Sequence, residues 1–307
     1  MKKFEVAKKI SKEIISNSRS WNKEIIDKYL LKYDKKRIIE SMVIIHLQNN
    51  TPRDLTVEVS NMYNCIVGCR FCASGSLKES TSLLLAKDYL SQVEICLEKS
   101  KKNPIDYPNF YISFAGIGEP SIAKIEIAKG IELIRKKYNN VQINIATTGF
   151  DASCFKYWSK LNLPIRTLQL PFYSCEQEKL KYIIKNLPKN YNLMKNIKEA
   201  IEYKKKHNIC RIKLNYVVIK NINDSKSDID KMVEYLEPVK KDITIKLSFL
   251  NYTQKCKENN LFSPNVNKMK NILETIKSKG FDCYLFGTEN NTELGCGQLV
   301  QDNISKN

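Results

Sequence analysis

The sequence lacks any apolar run long enough to cross a membrane, which argues against a transmembrane protein. Residues 1–17 are charged throughout, and they lack the apolar core and the small-residue cleavage site of a secretory signal peptide. We therefore expect a cytoplasmic protein that has no membrane partner.

Acidic side chains are few relative to basic ones. The chain has 33 Asp and Glu residues against 51 Lys and Arg, which gives a formal net charge of +18 at pH 7. Such a charge suits a polyanion such as RNA, because basic side chains supply most of the non-specific affinity for phosphates. Only 7 of the 51 basic residues are Arg, however, and the scattered Lys residues among many Asn and Ile also fit a compositional bias. Charge alone leaves RNA binding open.

The composition gives no sign of disorder or of a disulfide scaffold. A chain of 307 residues can bury a full core, and we expect one large α/β domain with small extensions. Its ten cysteines fit free thiols and metal ligands better than disulfides, because reducing compartments keep thiols free. Cys175 and Cys256 are undecided, and four others lie in apolar patterns typical of packing residues: Cys96, Cys154, Cys210 and Cys283.

Three cysteines stand out by their spacing. Cys65, Cys69 and Cys72 form the pattern CxxxCxxC within the segment NCIVGCRFCAS. Three thiolates this close can hold three irons of a cubane cluster and leave the fourth iron open to a small molecule. The alternatives are three ordinary buried thiols or a zinc site, for which the sequence offers no second CxxC or CxxH pair.

This pattern, with Phe71 before the last cysteine, resembles the signature of the radical S-adenosylmethionine (SAM) superfamily. The resemblance implies a 4Fe-4S cluster held by Cys65, Cys69 and Cys72, with SAM bound at the open iron. It also implies one-electron reduction of SAM to methionine and a 5′-deoxyadenosyl radical, and hence an electron donor such as flavodoxin or ferredoxin.

Apolar patterning predicts alternating strands and helices after an N-terminal helical segment. Ile10, Ile14, Ile25 and Tyr29 lie at helical spacings, so residues 1–33 are predicted to form one or two short helices. Helices are also predicted in later segments such as 123–137, 194–207 and 266–279. Strands are predicted at 37–48, 54–60, 110–115, 142–147, 166–170, 211–219, 243–249 and 282–286. This alternation indicates a parallel sheet covered by helices, with chemistry at the carboxyl ends of the strands.

The order of these segments resembles the partial (β/α)6 barrel of radical SAM proteins, in which the cluster loop follows the first barrel strand. We therefore predict an α/β fold in three parts. These are a small helical N-terminal cap at 1–33, a radical SAM core at 34–285, and a C-terminal extension at 286–307 that carries Cys296.

Segments that follow three of the predicted strands resemble SAM-binding motifs. GIGEP at 116–120 resembles the GEP motif, which implies that Gly118 and Glu119 contact the amino group of SAM. Thr147 and Thr148 resemble part of an STxG segment near the ribose or carboxylate, and Asn251 matches an asparagine close to the adenosine. Without the resemblance, these residues would be a turn, two β-formers and a polar turn residue.

The C-terminal segment TELGCGQLV at 292–300 resembles the ACGQL sequence of the RlmN and Cfr family of RNA adenine methylases. With further similar segments, such as LNYVVIKNINDS, the resemblance covers roughly residues 35–302. It implies that Cys296 takes a methyl group from one SAM and then donates this carbon to a substrate sp2 carbon. It also implies that Glu40 accepts a proton. The alternative for Cys296 is a tail thiol without function.

The chain departs from this family at several positions. Glu58 lies seven residues before Cys65, where the family needs a second cysteine, so Glu58, another cysteine such as Cys175, or no residue performs that step. The family's SLH segment is replaced by Pro171, Phe172 and Tyr173. The larger N-terminal RNA-binding domain of the family is reduced to residues 1–33. We therefore place RNA only slightly ahead of other substrates. The alternatives are a radical SAM enzyme that acts on a small molecule or peptide without methylation, and a non-catalytic basic RNA-binding protein with a structural metal.

Overall fold

The protein is described from a computed structural model, which covers residues 4–15, 21–34, 36–77, 82–208, 210–287 and 297–304. Its described strands form one sheet of ten, and they lie side by side in sequence order. These strands are β1 Glu5–Ile15, β2 Lys23–Lys32, β3 Ile38–Gln48, β4 Thr51–Val59, β5 Asn109–Phe114, β6 Val141–Ala146, β7 Ile165–Phe172, β8 Arg211–Val218, β9 Ile243–Phe249 and β10 Cys283–Phe286.

Helices connect the parallel strands. They are α1 Ala86–Ser100, α2 Lys124–Lys137, α3 Ser153–Lys160, α4 Gln177–Ile183, α5 Leu193–His207, α6 Lys226–Leu236, α7 Gln254–Glu258, α8 Val266–Ser278 and α9 Gln298–Ile304. Three short 3-10 turns accompany them at Ala73–Ser76, Pro104–Asp106 and Glu237–Asp242. No helix within the described ranges combines the length and the apolar character that a membrane span requires.

The strands β4 to β9 run parallel to one another, each joined to the next by at least one helix. This arrangement confirms the predicted partial (β/α)6 barrel, and β10 extends it by pairing in parallel with β9. The helices bury one apolar face against the sheet. In α2, for example, Ile127, Ile131 and Ile134 are fully buried at helical spacing. Burial of each such side chain contributes roughly 1.5 to 3 kcal/mol to the fold.

The predicted helices within residues 1–33 are wrong. Residues 5–15 and 23–32 form the antiparallel strands β1 and β2, and β2 pairs with β3 over its whole length. A spacing of four residues, as between Ile10 and Ile14, puts side chains on one face of a strand as well as of a helix. Every second residue from Ile10 to Ile14 is partly buried, and the residues between them are exposed. The period is therefore two, and the hairpin continues the sheet.

The predicted division into a cap, a core and a tail stays a prediction. From β3 onward, the observed strands and helices begin and end within a few residues of the predicted segments. α8, for instance, ends at Ser278, two residues before Gly280, which has a φ of +79° as expected for a helix-terminating glycine.

Candidate active site

The loop that carries the three predicted cluster cysteines leaves the carboxyl end of β4 and folds back on itself. The Cys65 amide donates to the Ser74 carbonyl over 3.1 Å, and the Cys72 amide donates to the Cys69 carbonyl over 3.0 Å. Cys69 also forms an isolated antiparallel bridge with Ile184, just after α4. These main-chain contacts hold three partly buried thiols within one short loop.

The three thiols are close enough to influence one another. Burial raises the pKa of the Cys69 thiol well above its usual range, and the thiols of Cys72 and Cys65 add to this effect. Burial is also the main cause of the raised pKa of the Cys65 thiol, and the Cys72 thiol and the Glu119 carboxylate raise this pKa further. A bound metal centre reverses such shifts, because its positive charge stabilises the thiolates.

The three thiols supply only sulfur donors. Within the described ranges, no group of three His, Cys, Asp or Glu side chains is arranged to hold a single metal ion. In a polynuclear cluster each cysteine binds a different iron, whereas a structural zinc ion usually takes four ligands. The donor set of three cysteine sulfurs therefore fits an iron-sulfur cluster better than a structural zinc ion.

The residues predicted to bind SAM meet beside this loop. Glu119 follows β5, and its buried carboxylate accepts hydrogen bonds from the Thr148 amide at 3.0 Å and the Thr148 hydroxyl at 2.9 Å. The same carboxylate accepts bonds from the Thr147 hydroxyl and from the Ser121 amide. The structure therefore brings Glu119, Thr147 and Thr148 together as one hydrogen-bonded group at the ends of β5 and β6.

Gly118 allows the segment after β5 to pass close to the start of the cluster loop. Its φ is +102°, and a Cβ at this position would lie 2.6 Å from the Cβ of Met62. The Asn61 and Met62 amides both donate to the Ile117 carbonyl, so the two segments are directly bonded. Gly118 therefore has a geometric role in addition to any contact with a ligand.

Two tyrosines that the sequence did not identify also lie near the cysteines. Tyr173 follows β7 and is almost fully buried, and its ring packs edge-on against Phe71 of the cluster loop at 5.5 Å. Burial raises the pKa of Tyr173, with smaller contributions from Cys69 and Cys72. Tyr191 donates a hydrogen bond from its hydroxyl to the Thr148 carbonyl at 3.0 Å. In the sequence, Tyr173 was seen only as a departure from the family's SLH segment.

Asn251 lies after β9, in a segment that contacts the cluster loop. Its side chain is exposed, and its carbonyl accepts a weak hydrogen bond from the Cys256 thiol at 3.4 Å. The Thr253 hydroxyl donates to the Phe71 carbonyl at 2.6 Å, and this bond joins α7 to the loop. The structure therefore places the Asn251 segment beside the cysteines, while its contact with adenosine stays a prediction.

Glu40 is buried on β3 and holds the amino end of α9. Its carboxylate accepts hydrogen bonds from the Gly297 amide at 2.9 Å and from the Val300 amide at 2.8 Å. The ammonium group of Lys28 on β2 lies 2.9 Å from the same carboxylate, and both side chains are at least 96% buried. Lys28 was missed in the sequence because its segment was assigned to a helix. The signal that could have found it is a lysine between Ile26 and Leu30 on the buried face of a strand with period two.

Cys296, the predicted methyl carrier, lies outside the described residues. The next residue, Gly297, is described and packs against the cluster loop. With a φ of +80°, it lies so close to Ser74 that a Cβ on Gly297 would be 2.4 Å from the Ser74 amide nitrogen. The side chain of the following residue, Gln298, accepts a hydrogen bond from the Gln254 amide of α7 at 2.9 Å. The start of α9 thus contacts both the cluster loop and α7.

Glu58 points into the barrel from β4, among other buried charges. Burial raises the pKa of Glu58 to about 7, although the ammonium groups of Lys28 and Lys246 oppose this shift. Lys246 lies on β9, and burial lowers its pKa to about 8. Its ammonium group lies 3.6 Å from the centre of the Phe286 ring, a cation–π contact. The barrel interior therefore holds a carboxyl group that titrates near neutral pH.

The remaining cysteines confirm most of the sequence predictions. The four that were assigned to packing, Cys96, Cys154, Cys210 and Cys283, are buried. Of the two undecided cysteines, Cys256 is buried on α7 against the cluster loop, whereas Cys175 is only partly buried.

A groove of about 910 Å³ between α3 and α5 is lined by outward-facing residues such as Lys156 and Lys198. This groove lies on the outer surface of the helices, so we do not identify it as the active site despite its volume.

Comparisons with known proteins agree with this geometry. No protein-family model matches the chain. The probable dual-specificity RNA methyltransferase RlmN of Dictyoglomus turgidum is 28% identical over 214 residues, which cover 68% of this chain and 58% of that protein. The corresponding protein of Pseudothermotoga lettingae is 26% identical over 311 residues, which cover 99% of this chain and 82% of that protein.

A solved structure shows the same fold. The crystal structure of a radical SAM methyltransferase from Sphaerobacter thermophilus superposes with a TM-score of 0.72 at 19% identity, covering 94% of this chain and 80% of that one. The match to the Dictyoglomus protein spans less than two thirds of its length, so its full activity does not transfer to this chain by similarity alone. The chain is therefore similar in sequence to RlmN-like RNA methyltransferases and similar in fold to a radical SAM methyltransferase, which agrees with the resemblance seen in its sequence.

Proposed function

We propose that the protein is a radical SAM enzyme that transfers a methyl carbon to an sp2 carbon, with RNA as the favoured substrate. One observation carries this proposal: the loop with Cys65, Cys69 and Cys72 lies beside Glu119, Thr147 and Thr148, at the carboxyl ends of adjacent parallel strands. The cysteines would hold a 4Fe-4S cluster. When bound and reduced by a donor such as flavodoxin or ferredoxin, the cluster would supply the electron that cleaves SAM into methionine and a 5′-deoxyadenosyl radical.

Glu119 and its two threonines would bind the amino acid part of SAM. The ammonium group of SAM carries only hydrogen-bond donors, so it would bind the Glu119 carboxylate in place of one of the two threonine hydroxyls, which can rotate away. The main-chain amides of Thr148 and Ser121 also donate to the Glu119 carboxylate and fix its orientation. This preorganisation lowers the entropic cost of binding. Gly118 and Asn251 would complete the SAM site, on the basis of the family resemblance.

Cys296 would accept the first methyl group. Its thiolate would attack the methyl carbon of SAM, a new S–C bond would form, and the bond to the sulfonium sulfur would break. S-adenosylhomocysteine then leaves with that electron pair. The methyl group on Cys296 would next serve as the hydrogen donor to the 5′-deoxyadenosyl radical from a second SAM, and as the carbon that reaches the substrate.

Two carboxylates are candidates for moving protons near this site. The resemblance assigns proton acceptance to Glu40, whose carboxylate also binds Lys28 and the first turn of α9. Glu58 occupies the position at which the family uses a second cysteine. Its pKa near 7 suits a group that takes up and releases a proton at neutral pH. We therefore propose that Glu58 takes over the proton transfer of this cysteine, whereas release of the carbon from the Cys296 sulfur would need a second thiol, such as Cys175.

Reconstitution under anaerobic conditions tests the proposal. The protein is incubated with iron, sulfide, methyl-labelled SAM and a strong reductant. Iron and sulfide are then measured, 5′-deoxyadenosine is quantified, and the Cys296 peptide is analysed by mass spectrometry. We expect about four irons per chain, formation of 5′-deoxyadenosine, and label on Cys296. Cys65→Ala should abolish the cluster, whereas Cys175→Ala, at a thiol outside the loop, should keep it.

The same experiment distinguishes methylation from a second candidate function. In this alternative, the protein is a radical SAM enzyme that acts on a small molecule or peptide without methylating it. The presence of Glu58 in place of the family's second cysteine favours this candidate. An unlabelled Cys296 together with 5′-deoxyadenosine would support it and reject methylation. A protein that binds no cluster and forms no 5′-deoxyadenosine would contradict both functions.

A further inference from the structure

A buried glutamine on α1 lies where the cluster loop leaves the sheet. Gln92 is completely buried, together with Tyr89, Val93 and Cys96 on the inner face of the same helix. Glutamine is seldom buried in this way, because its amide must then find hydrogen-bond partners inside the protein. An apolar side chain of similar size would pack on this face without that requirement. The partners of the Gln92 amide therefore indicate what it does.

Both ends of the Gln92 amide bind the main chain of Ser60, the first residue after β4. The Ser60 N–H donates to Oε1 of Gln92 at 2.8 Å, and Nε2 of Gln92 donates to the Ser60 carbonyl at 3.1 Å. A residue on a neighbouring antiparallel strand makes the same pair of bonds. The side chain thus takes the place of a strand at the point where the chain leaves the sheet, five residues before Cys65.

The hydroxyl of Ser60 joins three segments of the candidate site. It donates to the Glu40 carbonyl of β3 at 2.6 Å and accepts a hydrogen bond from the Ile117 amide at 3.2 Å. Ile117 belongs to the segment that carries Gly118 and Glu119, and Ser60 itself begins the cluster loop. The strand of Glu40, the cluster loop and the predicted SAM-binding segment therefore meet at one buried side chain.

This junction leaves little space for adjustment. The Gly116 amide donates to the Val59 carbonyl at 3.1 Å. A Cβ on Gly116 would lie 2.8 Å from that carbonyl oxygen and 2.9 Å from the Ser60 nitrogen. Because segments packed this closely transmit strain, a shift of Ser60 should displace the SAM-binding segment as well.

One further bond of Gln92 leads away from the cluster loop. The Ser41 hydroxyl of β3 donates to the same Oε1 at 2.8 Å, and Ser41 is as deeply buried as its partner residues. Removal of this hydroxyl would leave both bonds between Gln92 and Ser60 in place. Ser41 therefore offers a matched control within the same group of hydrogen bonds.

We propose that Gln92 and Ser60 are positioning residues that fix the cluster loop relative to the SAM-binding segment. SAM would contact both the open iron and the Glu119 carboxylate, so its binding and cleavage would depend on the placement of these two segments. A misplacement of about 1 Å can slow a reaction about a hundredfold. The inference rests on the proposed function, and both residues would act through the main chain rather than by touching SAM.

The Gln92→Met variant tests this role, because methionine has a similar size but cannot form the bonds of the amide. Iron content, the KM for SAM and the rate of 5′-deoxyadenosine formation per bound cluster are measured. We expect the KM to rise and the rate per cluster to fall, each at least about fivefold, since two buried hydrogen bonds to the loop are lost. Ser60→Ala should change both quantities in the same direction.

Two readouts do not depend on turnover. Electron paramagnetic resonance of the reduced cluster, recorded at increasing SAM concentration, should show that Gln92→Met needs more SAM for its spectrum to change. Amide hydrogen exchange is measured in protein without a cluster. The Ser60 amide should exchange faster in Gln92→Met, because its acceptor is Gln92, and the Ile117 amide should exchange faster in Ser60→Ala.

Control variants separate positioning from stability. Ser41→Ala should keep the KM for SAM and the rate per cluster within about twofold of the parent, less than the effect of one typical hydrogen bond. Tyr203→Phe removes another buried hydroxyl, which donates to the Leu163 carbonyl just before the amino end of β7. Thermal unfolding is compared for all variants. A loss of stability alone would lower the melting temperature without changing the KM or the rate per cluster.

Each result has a defined meaning. A parent protein that binds no cluster would contradict the proposed function, and this inference with it. An active parent, together with a Gln92→Met variant whose KM and rate per cluster equal those of Ser41→Ala, would overturn only the positioning role. If Gln92→Met fails to fold, Ser60→Ala decides by the same comparison with Ser41→Ala.

Discussion

Replacing Lys28 by Met is expected to lower the free energy of unfolding by about 3 to 5 kcal/mol, the usual cost of removing one partner of a buried ion pair. Lys28 and Glu40 are 1% and 4% exposed, and their charged groups are 2.9 Å apart. Without Lys28, the Glu40 carboxylate would keep its bonds to the Gly297 and Val300 amides but would lose the neighbouring ammonium group. The fold would then contain a poorly compensated buried negative charge.

Urea unfolding of four proteins measures this effect: the parent, Lys28→Met, Glu40→Gln and the double variant. The double variant should lose less than the sum of the two single variants, because it leaves no unpaired charge. Amide hydrogen exchange at Val300 should accelerate in Glu40→Gln, since its acceptor is Glu40. The matched control is Lys9→Met on β1. Lys9 pairs with Asp27 at 2.9 Å but is 40% exposed, so its loss should cost about 0 to 1 kcal/mol.

A loss below about 1 kcal/mol in Lys28→Met, equal to that of Lys9→Met, would refute this reasoning. The pair would then behave like an exposed one despite its burial. Unchanged exchange at Val300 in Glu40→Gln would separately show that the carboxylate does not hold the first turn of α9.

Two further predictions concern titration and close packing. The pKa of Glu58 is about 7 in the folded state, against an ordinary value of 4.5. Between these two pH values the folded state binds more protons than the unfolded state. The free energy of unfolding therefore falls as the pH rises, by up to about 3 kcal/mol. Glu58→Gln should flatten this fall in urea unfolding between about pH 5 and pH 7.5, and an unchanged slope would reject the assignment. Gly297→Ala should disrupt the contact of α9 with Ser74, whereas Gly287→Ala, at a similar positive φ but in open space, should cost only about 1 to 2 kcal/mol of backbone strain. Equal thermal destabilisation of the two variants would contradict a tight contact at Gly297.

The sequence predicted the barrel well because its signals were local and consistent. The parallel strands β4 to β9 are short apolar segments separated by helices with clear apolar faces, and their predicted bounds lie within a few residues of the observed ones. The N-terminal hairpin was not predicted because its apolar residues at spacings of four satisfy both periodicities. The pairing of β2 with β3 decides between them, and pairing is a property of the folded sheet.

Sequence motifs point to part of the candidate site, and they miss the part that depends on contacts between distant segments. The CxxxCxxC and GEP-like segments identified Cys65 and Glu119, and parallel topology brings their strands together. Lys28, Tyr173 and Ser74 belong to no motif. They enter the site only through packing between segments that are far apart in the chain, which no local pattern encodes.

The N-terminal hairpin is linked to the proposed chemistry through Lys28. Lys28 on β2 pairs with Glu40 on β3, and Glu40 holds the amide of Gly297, more than 250 residues later in the chain. Gly297 follows Cys296 directly and packs on Ser74, within the loop that carries the cluster cysteines. The hairpin is therefore a structural support for the C-terminal segment. Because this support acts through a buried ion pair, any change that exposes the hairpin to water should release α9 before it disturbs the SAM residues on β5 and β6.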